Sequence, residues 1–281
     1  MTKIARHAKA ALELFHSMIY FAPEAEDRFT SLGLKPGRMS YYAGRSAAMG
    51  PVGAGVVAAT FYNFNPVSVA KSIPAAWDIA SPAQVLEARL DAVDAALHRL
   101  LGDEVLASDD VAEAAELARI ATEACRPEAR PLYAGHADLD WPEVPHLKLW
   151  HALTLLREFR GDGHLIALQH AGISGIESLV LHSTMRGGFT PEAARTLREW
   201  SEQEWAEATE RLAERGLVTA EGALTDEGKE YREAIEVHTD EMAMSPWQHL
   251  GEERTAALID KGGKLSKALV EAGALPKGLF S

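Results

Sequence analysis

Apolar side chains recur every three or four residues along most of the chain, a spacing that predicts amphipathic helices. Residues 3–32 follow this pattern with a break at Pro23, and residues 38–49 continue it. Pro51 and Pro66 each begin a further short helix, because proline is tolerated in the first helical turn. Four or five short helices are therefore predicted at the start of the chain.

Two longer helices are predicted over residues 81–101 and 107–124. The next segment, residues 126–146, contains four prolines and little periodicity, so it is predicted to be a linker. The domain boundary is placed within it. This gives a helical N-terminal domain of residues 1–140 and a C-terminal domain of residues 141–281.

The C-terminal half opens with a predicted helix over residues 146–160, a turn at residues 161–163 and a further short helical segment. Another helix is expected over residues 175–185, and residues 265–272 are expected to form the last one. The fold class is therefore mainly α.

Residues 201–240 predict the end of a winged helix-turn-helix. Ser201 begins an S-x-x-E capping box, which marks a helix N-terminus. Residues 217–219 and 223–225 are expected to pair as a two-strand wing across a Glu-Gly turn, and a long helix follows.

A weak internal repeat relates the two halves. Residues 14–34 align with residues 153–173, which places Gly33 opposite Gly172 and predicts that the two segments superpose. The N-terminal half is then a degenerate copy of the winged helix. The alternative is that helices rich in Ala and Leu align by chance.

Charge argues against the usual role of such a fold. Residues 199–216, which include the predicted recognition helix, carry six Glu and two Arg, and the wing has no Lys or Arg. The whole chain carries a net charge of −13. Binding to nucleic acid depends on neutralising phosphates with cations, so nucleic acid is disfavoured as a partner.

Composition limits the remaining classes. The 281 residues predict two domains, or one domain built from two similar halves. The single cysteine, Cys125, excludes an intramolecular disulfide and a thiolate zinc site and fits a reducing cytoplasm. The longest apolar run, residues 47–61, is too short for a membrane span, so no membrane association is expected. The sequence leaves both a monomer and a homodimer open.

Residues 37–66 (GRMSYYAGRSAAMGPVGAGVVAATFYNFNP), residues 149–164 (LWHALTLLREFRGDGH) and TDEMAMSPW at residues 239–247 resemble an actinobacterial winged-helix family. The predicted wing and its flanking helices are also similar to MarR-type regulators. The resemblance implies a helix-turn-helix fold and no catalytic role, so it leaves open whether the protein is an enzyme.

The densest group of ionisable residues lies in residues 157–164. Asp162 and His164 are candidate catalytic residues, because a carboxylate beside an imidazole can tune it for proton transfer. Arg157 and Arg160 are candidates for binding an anionic group. In the alternative interpretation Asp162 caps a helix and the arginines compensate a helix C-terminus.

A second group of candidates is aromatic and polar. Residues three and four apart share a helix face, which brings Tyr41, Tyr42 and Arg45 together. We expect them to line a ligand pocket with further polar side chains, namely Tyr62, Asn63, Asn65 and His151. The alternative is tyrosines packed with satisfied hydroxyl groups.

No metal site is predicted, because no two of His151, His164, His170 and His182 have the H-x-x-x-H spacing of a helical zinc site. No cofactor can be identified either.

Three functions remain. The first is a cytoplasmic protein that binds a small, anionic molecule between its halves, as a binding protein or as an enzyme using acid-base chemistry. The second is a MarR-like regulator or another DNA-binding winged-helix protein, including the tandem winged-helix glycosylases. The third is a winged helix used only for protein association.

Overall fold

The computed structural model describes residues 3–183 and 189–276, in which helices alternate with short connections. The helices of the first half are α1 Lys3–Ser17, α2 Pro23–Ser31, α3 Arg38–Ser46, α4 Ala54–Phe61, α5 Pro66–Ser72, α6 Pro82–Leu106, α7 Asp109–Thr122 and α8 Pro131–Ala137. Those of the second half are α9 Pro145–His170, α10 Gly175–Ser183, α11 Pro191–Leu197, α12 Glu202–Glu214, α13 Asp226–Met242, α14 Ser245–Leu250 and α15 Glu252–Glu271. The prediction of a mainly helical fold is confirmed.

Local signals explain several helix starts. Asn65 caps α5 by accepting the backbone N–H of Val67 at 2.9 Å, where a helix was predicted to restart. Ser201 forms the expected capping box with Glu204 at the start of α12. Thr225 caps α13 through the N–H of Gly228. These helix starts are set by residues adjacent in sequence.

The turn predicted at residues 161–163 is not observed, because α9 runs through it as one helix. Tertiary packing explains why glycine occurs at position 163. A Cβ on Gly163 would lie 2.7 Å from the Arg130 guanidinium, which donates to the carbonyl groups of Phe159 and Met242. Gly163 therefore makes room for a packed side chain and does not break the helix.

The linker predicted over residues 126–146 is also wrong, since it contains α8. Leu132, Tyr133 and His136 of this helix are buried. Arg130, just before it, lies 3.8 Å from the centre of the Phe159 ring. Proline at the first position of α8 starts a helix there, as it does at α5.

The predicted wing is reduced to one antiparallel bridge, between Val218 and Leu224. The N–H of Thr219 donates to the Ala223 carbonyl at 2.7 Å, and the N–H of Thr225 donates to the Leu217 carbonyl at 3.2 Å. The two-strand wing predicted over residues 217–219 and 223–225 is therefore not formed, although the same residues approach each other as expected.

Two hydrophobic clusters form the interior. The larger one contains buried residues from Ala5 to Phe159 together with others from Ala243 to Ala274, and the smaller one lies between Ala167 and Ile235. The clusters divide within α9. The predicted boundary between residues 140 and 141 lies before this helix, and it stays a prediction.

The two segments of the predicted repeat share one local feature. Gly33 and Gly172 both have positive φ, at 91° and 63°. Each is followed by a residue whose N–H donates to the carbonyl five residues earlier, a helix C-terminal motif. The segments also differ, since residues 14–34 cross two helices and residues 153–170 lie inside α9. Superposition of the halves stays a prediction.

The helix predicted over residues 175–185 is α10 as far as Ser183, and its last two residues lie outside the described residues. The last helix, α15, begins at Glu252, earlier than predicted. None of the helices in the described residues combines the length and the apolar character needed to cross a membrane.

Alanine substitutions at the two glycines of α9 are expected to have opposite effects. A Cβ on Gly161 would lie 3.5 Å from Glu158 Oε2, an ordinary contact, so Gly161→Ala should raise the free energy of unfolding by up to about 1 kcal/mol through helix propensity. Gly163→Ala displaces Arg130 and should lower it by about 1–3 kcal/mol. Urea denaturation followed by circular dichroism measures both, and equal effects would contradict the packing role of Gly163.

Candidate functional site

A cavity of about 340 Å³ lies between α1, α3 and α4 on one side and α9, α10 and α13 on the other. This volume falls in the range of small-molecule sites. The predicted candidates in its wall are Tyr41, Arg45, Tyr62, Asn63, Arg157, Arg160, Asp162 and His164. The structure thus brings both predicted groups of residues to one cavity.

Three predicted ligand-binding residues lie elsewhere. Tyr42 is fully buried, and its hydroxyl lies 3.0 Å from Ser68 Oγ. Asn65 is committed to capping α5. His151 is buried edge-on against the Trp141 ring, 4.8 Å away. The Nε2 of His151 finds no hydrogen-bond partner in the described residues, but none of the three side chains lines the cavity, so their assignment to the pocket was wrong.

A buried ionic network forms one wall of the cavity. The carboxylate of Glu158 is 1% exposed and lies 2.5 Å from Arg157 and 3.4 Å from Arg45. Arg157 also lies 3.3 Å from Glu13 on α1. Burial opposes ionisation of Glu158, but the two guanidinium groups keep its pKa well below the ordinary value. This carboxylate is therefore ionised.

Two guanidinium N–H groups of cavity residues find no acceptor in the described part of the chain. The Nε of Arg45 and the Nε of Arg160 are buried and make no hydrogen bond within residues 3–183 and 189–276. Arg160 uses its Nη2 for Glu236 at 3.0 Å and Asp240 at 2.7 Å. A buried donor left without a partner costs about 1–3 kcal/mol, so an acceptor that reached these N–H groups after a small side-chain movement would relieve that cost.

Arg198 lines the cavity, although no motif or spacing in the sequence points to it. It lies in the connection between α11 and α12, where its Nε donates to Asn63 Oδ1 at 3.2 Å and its guanidinium lies 4.4 Å from the Phe64 ring centre. Within residues 3–183 and 189–276, no carboxylate forms an ion pair with it. Its charge is therefore balanced only by an amide and by aromatic rings.

The pKa of Tyr41 reports the electrostatic potential in this part of the cavity. Burial alone raises the pKa of its phenol, but the positive charges of Arg45, Arg198 and Arg157 outweigh burial and hold that pKa below its ordinary value. The carboxylates nearby do not cancel this effect. The wall around Tyr41 therefore favours negative charge.

The proposed pair of catalytic residues is not assembled. Asp162 Oδ2 accepts the backbone N–H groups of Leu132 and Tyr133 at 3.0 and 2.9 Å, so its carboxyl caps the first turn of α8. His164 Nδ1 lies 2.9 Å from Thr239 Oγ1 instead. Asp162 therefore caps a helix, as the alternative interpretation predicts. The helix that it caps is α8, which lies elsewhere in the sequence.

The hydrogen bonds of Thr239 define the tautomer of His164. The Thr239 hydroxyl donates to the Ile235 carbonyl at 2.8 Å, so its oxygen accepts from the imidazole, which places the proton on Nδ1. The other nitrogen, Nε2, is then an acceptor. Burial lowers the pKa of His164 to about 4, which keeps the ring neutral at pH 7.

Helices α10 to α12, with the bridge and α13 after them, follow the element order predicted for a helix-turn-helix, and α12 contains the residues predicted as the recognition helix. The chain belongs to a helix-turn-helix family, whose sequence profile matches residues 5–276. Comparisons with curated proteins and with solved structures found no match.

Acid should destabilise the fold through its buried histidines. Burial lowers the pKa of His151 to about 4, as it does for His164. Between pH 6.5 and 4 the unfolded chain binds protons that the folded chain does not, so the free energy of unfolding falls as pH falls. By pH 4 the loss from His151 alone is on the order of 3 kcal/mol. Asp162 acts in the opposite direction, because burial raises its pKa to about 6.

Urea denaturation at a series of pH values between 7 and 4.5 tests this expectation. In the variant His151→Phe, which keeps an aromatic ring against Trp141, the pH dependence should weaken by about one proton. His238→Phe at an exposed position is the matched control. A His151→Phe profile identical to that of the unmodified protein would contradict the assignment of His151 as a buried neutral residue.

Proposed function

We propose that this helix-turn-helix protein binds a small anionic molecule in the cavity between its two halves. The observation that carries the proposal is the pair of buried N–H groups without acceptors, on Arg45 and Arg160, in the wall of a cavity of ligand size. Arg198, which lacks an ion-pair partner in the described part of the chain, adds a positive charge to the same wall.

The rest of the wall indicates what the anion carries. Apolar side chains make up much of the surface, including those of Leu12, Phe61, Phe64, Leu153, Leu156 and Trp247. Small-molecule sites combine such walls with a few polar groups that fix orientation. We therefore propose a ligand with one carboxylate or phosphate and an apolar body. His164 Nε2 is the acceptor available to a donor on that body.

The family supports a second candidate, DNA binding through α12. Its exposed charged residues are mainly acidic: Glu202, Glu207, Glu210, Arg211 and Glu214. Both arginines near its C-terminus are bound within the protein. Arg211 pairs with Glu177 at 3.0 Å, and Arg215 donates to the carbonyls of Gly172 and Ala171. This surface is mainly acidic and both its arginines are paired within the protein, so the observations favour the small-molecule function over DNA binding.

Binding of model anions tests the ligand proposal. Acetate, benzoate, 1-naphthoate and inorganic phosphate are titrated against the protein by calorimetry. We expect affinity to rise with apolar size along the carboxylate series. Arg198→Gln should weaken binding about 10- to 100-fold, as expected for a lost charge-assisted hydrogen bond of about 1.5–3 kcal/mol.

Two further variants make this test specific. Arg45→Gln should also weaken binding, although it removes a partner of buried Glu158 and requires a check of folding. Arg119→Gln, at an exposed arginine paired with Glu116 and Glu123, is the matched control and should bind as the unmodified protein does. Equal affinities in all variants, or no binding of any carboxylate, would exclude the cavity as an anion site.

Duplex DNA is expected to bind weakly, with a Kd above about 0.1 mM at physiological salt, because the exposed face of α12 is mainly acidic and its one arginine, Arg211, is paired with Glu177. Fluorescence anisotropy with a labelled random duplex measures this. The double variant Glu207→Lys with Glu210→Lys should bind more tightly and with a steeper salt dependence. Tight, salt-sensitive binding by the unmodified protein would favour the DNA-binding candidate instead.

A further inference from the structure

We propose that Asp94, His98 and His146 bind a divalent transition-metal ion, with Zn²⁺ as the fitting example. These residues lie apart from the anion cavity, so the proposal is independent of the ligand proposed there. Each offers one ligand atom, and the three atoms lie within 4.8 Å of one another.

The geometry comes from two helices. Asp94 and His98 are four residues apart on α6 and share one face, and His146 is the second residue of α9. Asp94 Oδ1 lies 2.7 Å from His146 Nε2 and 3.6 Å from His98 Nε2. Zinc bonds of about 2.0–2.1 Å in a tetrahedron place neighbouring ligand atoms about 3.3 Å apart, so side-chain rotations alone can reach that arrangement.

Asp103 provides a second, independent observation. Its Oδ1 lies 2.7 Å from His98 Nδ1, on the side of the ring opposite the cluster. A carboxylate that accepts the Nδ1 proton leaves Nε2 as the metal-binding atom, the arrangement found behind most histidine ligands of zinc. Gly102, with φ at 76°, breaks α6 just before Asp103. The glycine is therefore suited to turning the chain back toward His98.

Exposure and ligand type define the metal. His146 is nearly buried at 6% exposure, whereas the side chains of Asp94 and His98 are 44% and 42% exposed, so an ion can enter from solvent. Two imidazoles favour zinc, nickel or copper over magnesium and calcium, which prefer oxygen ligands. Three protein ligands leave a fourth position for water.

The sequence did not indicate this site because its ligands come from distant parts of the chain. The H-x-x-x-H spacing of a helical zinc site places both histidines on one helix, whereas here α6 contributes two ligands and α9 contributes one. An ion bound at this point connects the long helix of the first half to the start of α9. Metal binding should therefore stabilise the folded state.

Titration of the untagged, metal-free protein with Zn²⁺ by calorimetry tests the proposal, with Co²⁺ absorption as a report of coordination geometry. One equivalent of metal should bind, with a rise in Tm and the intense visible bands of tetrahedral Co²⁺. His98→Gln should weaken binding at least 10-fold and remove the Co²⁺ bands. Asp103→Asn should weaken binding by about 10- to 100-fold, as changes behind a metal ligand do.

The controls separate a built site from a surface histidine. His249→Gln removes a histidine that pairs with Glu123 at 3.1 Å and should leave zinc binding unchanged. His146→Gln should abolish binding, and because His146 is buried, its fold is checked by circular dichroism. Absence of binding, or zinc affinity that is the same in His98→Gln, His249→Gln and the unmodified protein, would overturn the proposal.

Discussion

The buried carboxylate of Glu158 is the constraint on which the arrangement of the two halves depends. A charge in the interior is tolerated only with partners, and Glu158 finds them in Arg157 on its own helix and Arg45 on α3. Arg157 extends the network to Glu13 on α1. These contacts fix α1 and α3 against α9, and the space left between them and α10 is the cavity.

The same network explains why the cavity wall is short of acceptors. The single carboxylate of Glu158 pairs with two guanidinium groups, those of Arg45 and Arg157, and each guanidinium has five N–H donors. Within the described residues the Nε of Arg45 is left without a partner, and the Arg198 guanidinium contacts Asn63 and aromatic rings but no carboxylate there. A buried donor without a partner costs about 1–3 kcal/mol, which the proposed anion would recover if it accepted from these groups.

The parts of the fold that the sequence predicts are those governed by neighbouring residues. The capping box at Ser201 and the helix starts at Pro66 and Thr225 depend on bonds within one turn. The errors at residues 126–146 and 161–163 have a tertiary origin, because Arg130 packs against α9 exactly where glycine and proline suggest a break. The candidate site likewise contains residues that helical spacing predicts and residues that only tertiary packing brings together. Tyr41 and Arg45 could be paired by helical spacing, but Arg198 reaches them only through the fold.

This protein has a helix-turn-helix fold, but α12 and the bridge after it are poor in the exposed cations that such folds use to bind DNA. A DNA-binding winged helix needs exposed cations that neutralise phosphates. Here Arg211 and Arg215 instead bind Glu177 and the carbonyls that end α9 and the loop after it, so they hold α12 to the rest of the domain. The wing is one bridge without cations. The arginines of the cavity wall, Arg45, Arg157, Arg160 and Arg198, lie instead between the helices of the two halves, where they are the basis of the proposed anion site.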